Sequence, residues 1–327
     1  MGKGLESALK IIRSNYGEDA VRKLGVADIG VVSTGCLSID IILGVGGLPR
    51  GRIIEVYGVP KGGKTTVVLQ TVAEAQKTMT VAYVDAEHAL DEKYMEALGV
   101  DLDKLLVSQP MSGEQGIEIT ETLVRSGEVG LIVIDSVDAL VPQAVIDGEM
   151  TDSFYAPLPR LMGQALRKLK AIARKSNTCL VFINQERSTM ATQGAKKTTS
   201  GGFALKYYAD VRIEVVRTGW IKNSDDEPIG QTVKVKVIAS KVAPPFKECE
   251  LDLIYGQGFS QETDLLNLAE KARLVVKSGA WYATADGERM GQGAAKATEW
   301  LRANPERAAA IVAAVRQAKG LDKAEVD

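Results

Sequence analysis

An α/β fold around a mainly parallel central sheet is what this chain of 327 residues predicts, and three observations predict it. Apolar runs alternate with segments of helical periodicity, the pattern of strands joined by crossover helices. Three of those runs end on polar side chains: Val81–Asp85 leads to Glu87, Leu131–Ile134 to Asp135, and Thr178–Asn184 to Gln185. In such sheets ligands sit at the carboxyl ends of the strands. The third observation is Gly58-Val59-Pro60-Lys61-Gly62-Gly63-Lys64-Thr65-Thr66, which fits G-x-x-x-x-G-K-[ST] between a strand, Arg52–Tyr57, and a helix, Thr65–Gln76.

That spacing carries its own chemistry. Backbone N–H groups of the loop wrap phosphates, and the positive end of the helix dipole faces the same polyphosphate. Lys64 then reaches the β- and γ-phosphates, and the Thr65 hydroxyl binds Mg²⁺. An ordinary glycine-rich turn is the bland alternative, and the flanking strand and helix weigh against it.

The bulk numbers exclude several classes. Hydrophobic residues make up 45% and charged residues 25%, ordinary for a globular protein. The net charge of −2 means that any basic surface for nucleic acid has to be local. Cys36, Cys179 and Cys249 are odd in number, far apart and in apolar contexts, which predicts buried thiols in a reducing cytoplasm and no zinc site. No apolar run approaches about 18 residues and no leader is evident, so a cytoplasmic protein that does not span a membrane is expected.

Taken in order, Leu5, Ala8, Leu9 and Ile12 lie at helical spacing in a segment ending near Asn15, with Gly17 as its stop. Such a helix serves either as a packed cap or as a docking arm for a neighbouring subunit. Residues 1–30 form this arm and residues 31–258 the core. A helix at Leu37–Leu43 precedes the strand into the phosphate loop, and Leu105–Ser108 is a further short strand. Ser112 and Gln115 suggest a capping box for a helix running to Arg125. After Gly202, Val211–Arg217 and Gln231–Ser240 alternate like antiparallel strands, with Val233, Val235 and Val237 on one face. Glu250–Tyr255 is one more strand, and Gly256-Gln257-Gly258 is the boundary of a small α+β unit, residues 259–327. That unit holds a helix at Asp264–Val275, a hairpin at Asp286-Gly287, and helices at Ala294–Ala303 and Pro305–Lys319.

Asp135, downstream of the phosphate loop at a strand end, has the position of the carboxylate that holds Mg²⁺ through water. Glu87 at its own strand end could orient or deprotonate an attacking water, although a capping carboxylate would look the same. His88 is the only histidine, which removes histidine triads and metal clusters and leaves it as a hydrogen-bonded neighbour. Two stretches read as mobile loops: Asp147–Pro159, with Phe154 and Tyr155, and Glu186–Gly202, with Arg187, Lys196 and Lys197. Paired cationic loops suit a single-strand path. Solvated turns have the same composition.

The motifs together go further. Asp85-Ala86-Glu87-His88-Ala89-Leu90-Asp91, Val133-Ile134-Asp135-Ser136-Val137, Phe182-Ile183-Asn184-Gln185, Thr199-Ser200-Gly201-Gly202-Phe203-Ala204-Leu205-Lys206 and Gly279-Ala280-Trp281-Tyr282 stand in order behind the phosphate loop. From about Leu5 to Pro305 the chain closely resembles the bacterial RecA recombinases. The resemblance implies an ATP-dependent helical filament on single-stranded DNA that pairs it with homologous duplex and exchanges strands, and it implies self-cleavage of a repressor as a further partner reaction. It implies that Lys64, Thr65 and Asp135 hold Mg-ATP, that Glu87 activates water, and that Asp91, Tyr94 and Tyr255 surround the adenine. Gln185 matches the residue that senses the γ-phosphate. Arg160, Arg167, Gly201 and Gly202 fall in or beside the DNA-binding loops, Tyr207 at an interface, and the N-terminal helix becomes a polymerisation arm.

The departures matter as much. The family usually has Glu-Ser-Ser where this chain has Pro60-Lys61-Gly62, and a Lys-x-Lys pair where it has Ala239-Ser240-Lys241. Of the two cations that reach a neighbour's ATP, only Lys241 remains, which should weaken hydrolysis unless Lys61 restores charge inside the loop. The second loop lacks the usual aromatic, and the acidic tail shrinks to Asp322, Glu325 and Asp327. The alternatives are an ATP-gated DNA-binding filament scaffold with slow or absent turnover and a ring helicase or branch-migration motor.

Overall fold

The computed structural model describes residues 3–17, 20–21, 30–149, 152, 155–189 and 196–321. Residues up to Gly30 form one compact unit and those from Val31 another. In the first, α1 (Lys3–Tyr16) closes at Gly17, whose φ of 94° is the left-handed stop expected of glycine. Leu5 and Ile11 on it are exposed.

The second unit begins with β1 (Val31–Val32), α2 (Leu37–Leu43), β2 (Leu48–Pro49), β3 (Ile53–Gly58), α3 (Lys64–Ala75) and β4 (Thr80–Asp85). Then come α4 (Glu92–Ala97), β5 (Leu105–Ser108), α5 (Gly113–Ser126), β6 (Val129–Asp135), α6 (Gln143–Asp147), α7 (Pro157–Ser176) and β7 (Cys179–Thr189). The remainder is β8 (Lys196–Thr199), α8 (Ala204–Tyr208), β9 (Val211–Lys222), β10 (Pro228–Ser240), β11 (Glu248–Ile254), β12 (Gly258–Phe259), α9 (Gln261–Lys271), β13 (Val275–Ser278), β14 (Trp281–Thr284), β15 (Arg289–Gln292), α10 (Ala294–Ala303) and α11 (Pro305–Ala318).

The large sheet runs β12-β11-β10-β9-β3-β7-β6-β4-β5, with β8 pairing off β7. From β9 to β5 neighbouring strands are parallel, and β10, β11 and β12 extend the sheet antiparallel. Period-two alternation divides the core. Ile54, Val56, Tyr83 and Val133 pack with α2 and α3 on one face. Ile53, Val84, Ile134 and Phe182 pack with α5 and α7 on the other. Strands covered on both faces have no solvent side, which is why β3 and β6 are buried from end to end. A separate cluster of Leu265, Leu266, Val275, Tyr282, Met290 and Leu301 joins α9 and α10 to the β13-β14-β15 sheet.

Several expectations are corrected. The stretch 186–202 is not all loop: β7 continues past Gln185 to Thr189 and pairs antiparallel with β8, so that Glu186 faces Thr199. Its tip, residues 190–195, lies outside the described residues, as do Phe154 and the acidic Asp322, Glu325 and Asp327. In the stretch 147–159, Pro157 and Pro159 belong to the first turn of α7, where a missing N–H costs nothing. The expected helix Asp264–Val275 is α9, which starts at Gln261 and ends at Lys271; Val275 opens a strand instead, after Arg273 turns the chain at φ 59°. The cap of α5 is half a box. Ser112 Oγ accepts from the Gln115 N–H at 3.3 Å, but Gln115 Oε1 accepts from Met111 N, one residue earlier than a reciprocal box requires.

Candidate nucleotide and DNA site

The phosphate loop is shaped by what cannot fit. A Cβ on Gly58 would lie 2.1 Å from the Val215 carbonyl oxygen, and one on Gly62 would lie 3.1 Å from the oxygens of both Val215 and Val59. Gly63, at φ 96°, turns the chain into α3. Lys61 takes the left-handed conformation too, at φ 58°, where a side chain costs about 1 kcal/mol. The loop is therefore a cradle of bare backbone at a helix N-terminus, which fits phosphate.

Lys64 is buried, and its Nζ donates to Val59 O at 2.8 Å. Burial lowers its pKa, while the charges of Asp135 and Glu87 pull the other way. Those two carboxylates face it from the ends of β6 and β4. Asp135 Oδ2 accepts from Tyr83 Oη at 2.7 Å. Desolvation pushes Asp135 up to about 6, with Glu87 and Asp85 adding to it and the Tyr83 bond and Lys64 opposing. A buried carboxylate crowded by two others and facing a lysine and a threonine hydroxyl suits a cation shell. Glu87 Oε1 accepts from Ser136 Oγ at 2.5 Å, and the N–H groups of Ala86 and Glu87 both donate to Asp135 O. The two strand ends are thus laced together.

Around this centre lie two adjoining clefts. One, of about 140 Å³, is lined by Thr65, Asp85, Glu87, Asp91, Tyr94 and Asp135 among others. The other, of about 360 Å³, runs from Lys61–Thr66 past Tyr94 to Tyr255, Gln231, Arg217 and Trp220. Tyr94 Oη sits 2.7 Å from Thr66 Oγ1, and Asp91 caps α4 through the Tyr94 N–H. The structure therefore gathers Gly58, Val59, Pro60, Lys61, Gly62, Gly63, Lys64, Thr65, Thr66, Glu87, Asp91, Tyr94, Asp135 and Tyr255 at one end of the sheet. Gln185 joins them, since it is in register with Gly58 across β3 and β7. His88 Nε2 lies 3.1 Å from Pro110 O, a packing contact.

Lys241 stands apart. Its Nζ donates to Tyr207 O at 2.9 Å and Ala209 O at 2.8 Å, holding the carboxyl end of α8. Of the residues expected at DNA, Arg160 and Arg167 are exposed on α7, with Arg160 over the Tyr155 ring. Arg187 is engaged within the chain: it donates to Ser200 Oγ and pairs with Asp138, three residues beyond Asp135. Lys196 and Lys197 lie on the β8 backbone, and their side chains fall outside the described residues. A Cβ on Gly201 would meet Val137 and Met162, and one on Gly202 would meet Pro159, so the foot of the second stretch rests on the start of α7.

Sequence reasoning passed over the frame beneath. Arg212 Nε donates to the buried Glu55 at 2.5 Å, Glu55 accepts from Asn184 Nδ2 at 2.9 Å, and Asn184 donates on to Ser200 O at 3.0 Å. The detectable signal was a charge, Glu55, inside an apolar strand. Ser136, Arg217, Trp220 and Gln231 were missed as well. Ser136 stands next to Asp135 in the sequence, whereas only three-dimensional pairing brings the other three to the cleft.

Among the described residues no helix is long and apolar enough to cross a membrane, and the cysteines are free, Cys36 and Cys179 buried and Cys249 partly so. Comparison with known proteins identifies the family. The family model of the RecA N-terminal domain matches residues 3–260 and that of the RecA C-terminal domain residues 263–320. Protein RecA of Parvibaculum lavamentivorans is 52% identical over 325 residues, covering 98% of this chain and 88% of that one. Protein RecA of Cereibacter sphaeroides is 52% identical over 326 residues, covering 98% and 94%. With the phosphate cradle, the facing carboxylates and both matched domains in one chain, the protein belongs to the RecA family of recombinases.

Proposed function

We propose that this RecA-family DNA-dependent ATPase, which acts in DNA recombination and repair, uses ATP with Mg²⁺ at the cleft between the phosphate loop and the ends of β4 and β6. The observation that carries the reading is the convergence of Lys64, Asp135 and Glu87 on that bare-backbone cradle. Lys64 and the loop N–H groups hold the polyphosphate, Thr65 ligates the metal, and Asp135 holds it through water. A cation held by these residues would supply positive charge to the phosphates when bound. Glu87, fixed by Ser136, orients the attacking water and takes its proton. Asp91, Tyr94 and Tyr255 surround the base. Gln185, beside Gly58, reports the state of the γ-phosphate along β7 to the β7–β8 hairpin.

On this reading residues 1–30 dock onto an adjacent protomer, with Leu5 and Ile11 exposed on α1 for that purpose. Residues 31–258 carry catalysis and the DNA loops, at about 147–159 and 186–202, and residues 259–327 form an accessory domain. Single-stranded DNA runs along Arg160, Arg167, Lys196, Lys197, Gly201 and Gly202, with Arg187 shaping the root of the second loop. Homologous duplex is the second DNA, a self-cleaving repressor a further partner, and the cytoplasm the site of action. Lys241 leaves the carbonyls of α8 to reach a neighbour's nucleotide. Ala239 favours a slower variant of the same cycle, closer to an ATP-gated filament.

The test is phosphate release with and without single-stranded DNA, with Glu87→Gln as the blank. DNA-stimulated release that vanishes in the blank is expected. Release indifferent to DNA overturns the reading.

A further inference from the structure

Two side chains in the nucleotide cleft arrive there through a fault in the sheet. Along β9, Val211, Ile213 and Val215 are buried and point to the α2–α3 face. Period-two alternation puts Arg217 on that face and would put Trp220, three residues on, on the opposite one. The β9–β10 register shifts between Thr232 and Val233, however: Gly219 pairs with Thr232 and Arg217 with Val233, leaving Thr218 as an extra residue. A bulge of this kind re-aims the residues beyond it. Trp220 is then paired with Gln231, and Arg217 with Val233. Gln231 and Val233 both face the phosphate loop, within 3.6 Å of where a Cβ on Gly63 would sit. Gln231 Nε2 also donates to Lys61 O at 3.3 Å, fastening β10 to the loop.

The consequence is a cation–aromatic pair over the cleft. The Arg217 guanidinium carbon lies 4.1 Å from the centroid of the Trp220 ring, and both residues line the space shared by Lys61, Lys64, Tyr94 and Tyr255. The indole remains half exposed, so it is not a core residue that happens to lie nearby. An indole face beside two tyrosines suits a planar base, and a guanidinium beside two lysines suits a polyphosphate.

We propose that Arg217 and Trp220 form the outer wall of the nucleotide site, Trp220 against the base and ribose of a bound purine nucleotide, and Arg217, held by the indole, as a cation in cis for its phosphates. This rests on the nucleotide reading given above and adds two binding residues to it. It also assigns the Thr218 bulge a purpose, since without it the arginine and the indole would lie on opposite faces.

The experiment is titration of the full chain with Mg-ADP and, separately, with inorganic tripolyphosphate, using Lys64→Ala to test the underlying site. Trp220→Ala should weaken Mg-ADP binding about tenfold, the scale of one lost base–aromatic contact, and leave tripolyphosphate within about twofold. Arg217→Ala should weaken both ligands by about three- to tenfold, and Trp220→Phe should stay near the wild type. In a chain whose only indole is Trp220 (Trp281→Phe, Trp300→Phe), emission should change on adding Mg-ADP. Trp220→Ala and Arg217→Ala binding Mg-ADP like the wild type, while Lys64→Ala does not, overturns the wall and spares the nucleotide site. Wild-type chain that binds neither ligand removes both. Equal losses of Mg-ADP and tripolyphosphate in Trp220→Ala make the indole a support for the loop and overturn its contact with the base.

Discussion

Ser136 Oγ donates to Glu87 Oε1 at 2.5 Å, joining the residue after the β6 carboxylate to the carboxylate just past β4. Ser136 is fully buried while Glu87 is exposed, so the serine is the fixed partner and the glutamate the one positioned. Removing the hydroxyl leaves Glu87 chemically intact but free to swing. If Glu87 has the general-base role proposed above, Ser136→Ala should lower DNA-stimulated ATP turnover about tenfold with little change in KM, because a base displaced by a fraction of an ångström loses rate before affinity. Steady-state kinetics at saturating DNA would check it, and a variant with raised KM and unchanged kcat would contradict it.

Asp40 offers a pH handle remote from that chemistry. Its carboxylate accepts from Thr34 N at 2.9 Å, Thr34 Oγ1 at 2.8 Å and Ser33 Oγ at 2.7 Å. Burial nonetheless outweighs these bonds and the charge of Arg316, and pushes the group up to about 6. A carboxyl raised above its unfolded value binds its proton more tightly when folded, so its contribution to stability is greatest below the unfolded pKa and declines as pH rises through about 6. Asp40→Asn lacks that decline. Urea unfolding at pH 4 and pH 7 should show the difference between the two chains moving in favour of the variant by up to about 3 kcal/mol. A difference that does not change with pH would contradict it.

Lys61 in the phosphate loop and Ala239, where the family usually has a lysine, can be tested by exchange. Ala239→Lys should raise DNA-stimulated turnover several-fold by returning a charge for the transition state, about 1 to 2 kcal/mol. Lys61→Gly relaxes a left-handed residue, which favours folding by about 1 kcal/mol, yet removes a charge from the loop. The expected result is a more stable chain with weaker ATP binding, measured by thermal melting and nucleotide titration. If affinity is unchanged, Lys61 contributes no charge to the site.

The link from Arg187 to Asp138 and Ser200 predicts that the root of the second loop is a structural joint. Asp138→Ala should raise the DNA concentration for half-maximal stimulation about fivefold, the scale of a lost charge-assisted bond, while Mg-ADP affinity stays constant. Tighter DNA binding in the variant would mean that Asp138 only restrains a DNA-contacting arginine.

Much of this was legible in the chain. The phosphate loop, the apolar runs closing on Asp135 and Asp85, and the turn residues all obey local rules, and the structure places each where those rules put it. What escaped depends on pairing between distant segments. Glu55 reads as a stray charge until Arg212 and Asn184 lie beside it. Trp220 falls beyond the strand read over Val211–Arg217, until β9 runs on to Lys222 and the Thr218 bulge turns it into the cleft. The strand after Gln185 reads as loop because Arg187, Ser188 and Thr189 are polar; two strands that pair with each other outside the core need no apolar face to hold them. The helix expected over 264–275 overshoots because Val275 continues its apolar spacing, although Arg273 has already ended it.

Gly202 rests on Pro159, and Gly201 on Met162 and Val137, with little room for even a methyl group between them. Surfaces that close transmit displacement instead of absorbing it. A shift in either of the two segments proposed to face DNA would therefore arrive at the other without passing through the proposed nucleotide site, and the two should grip and release a strand as a single jaw rather than as two fingers.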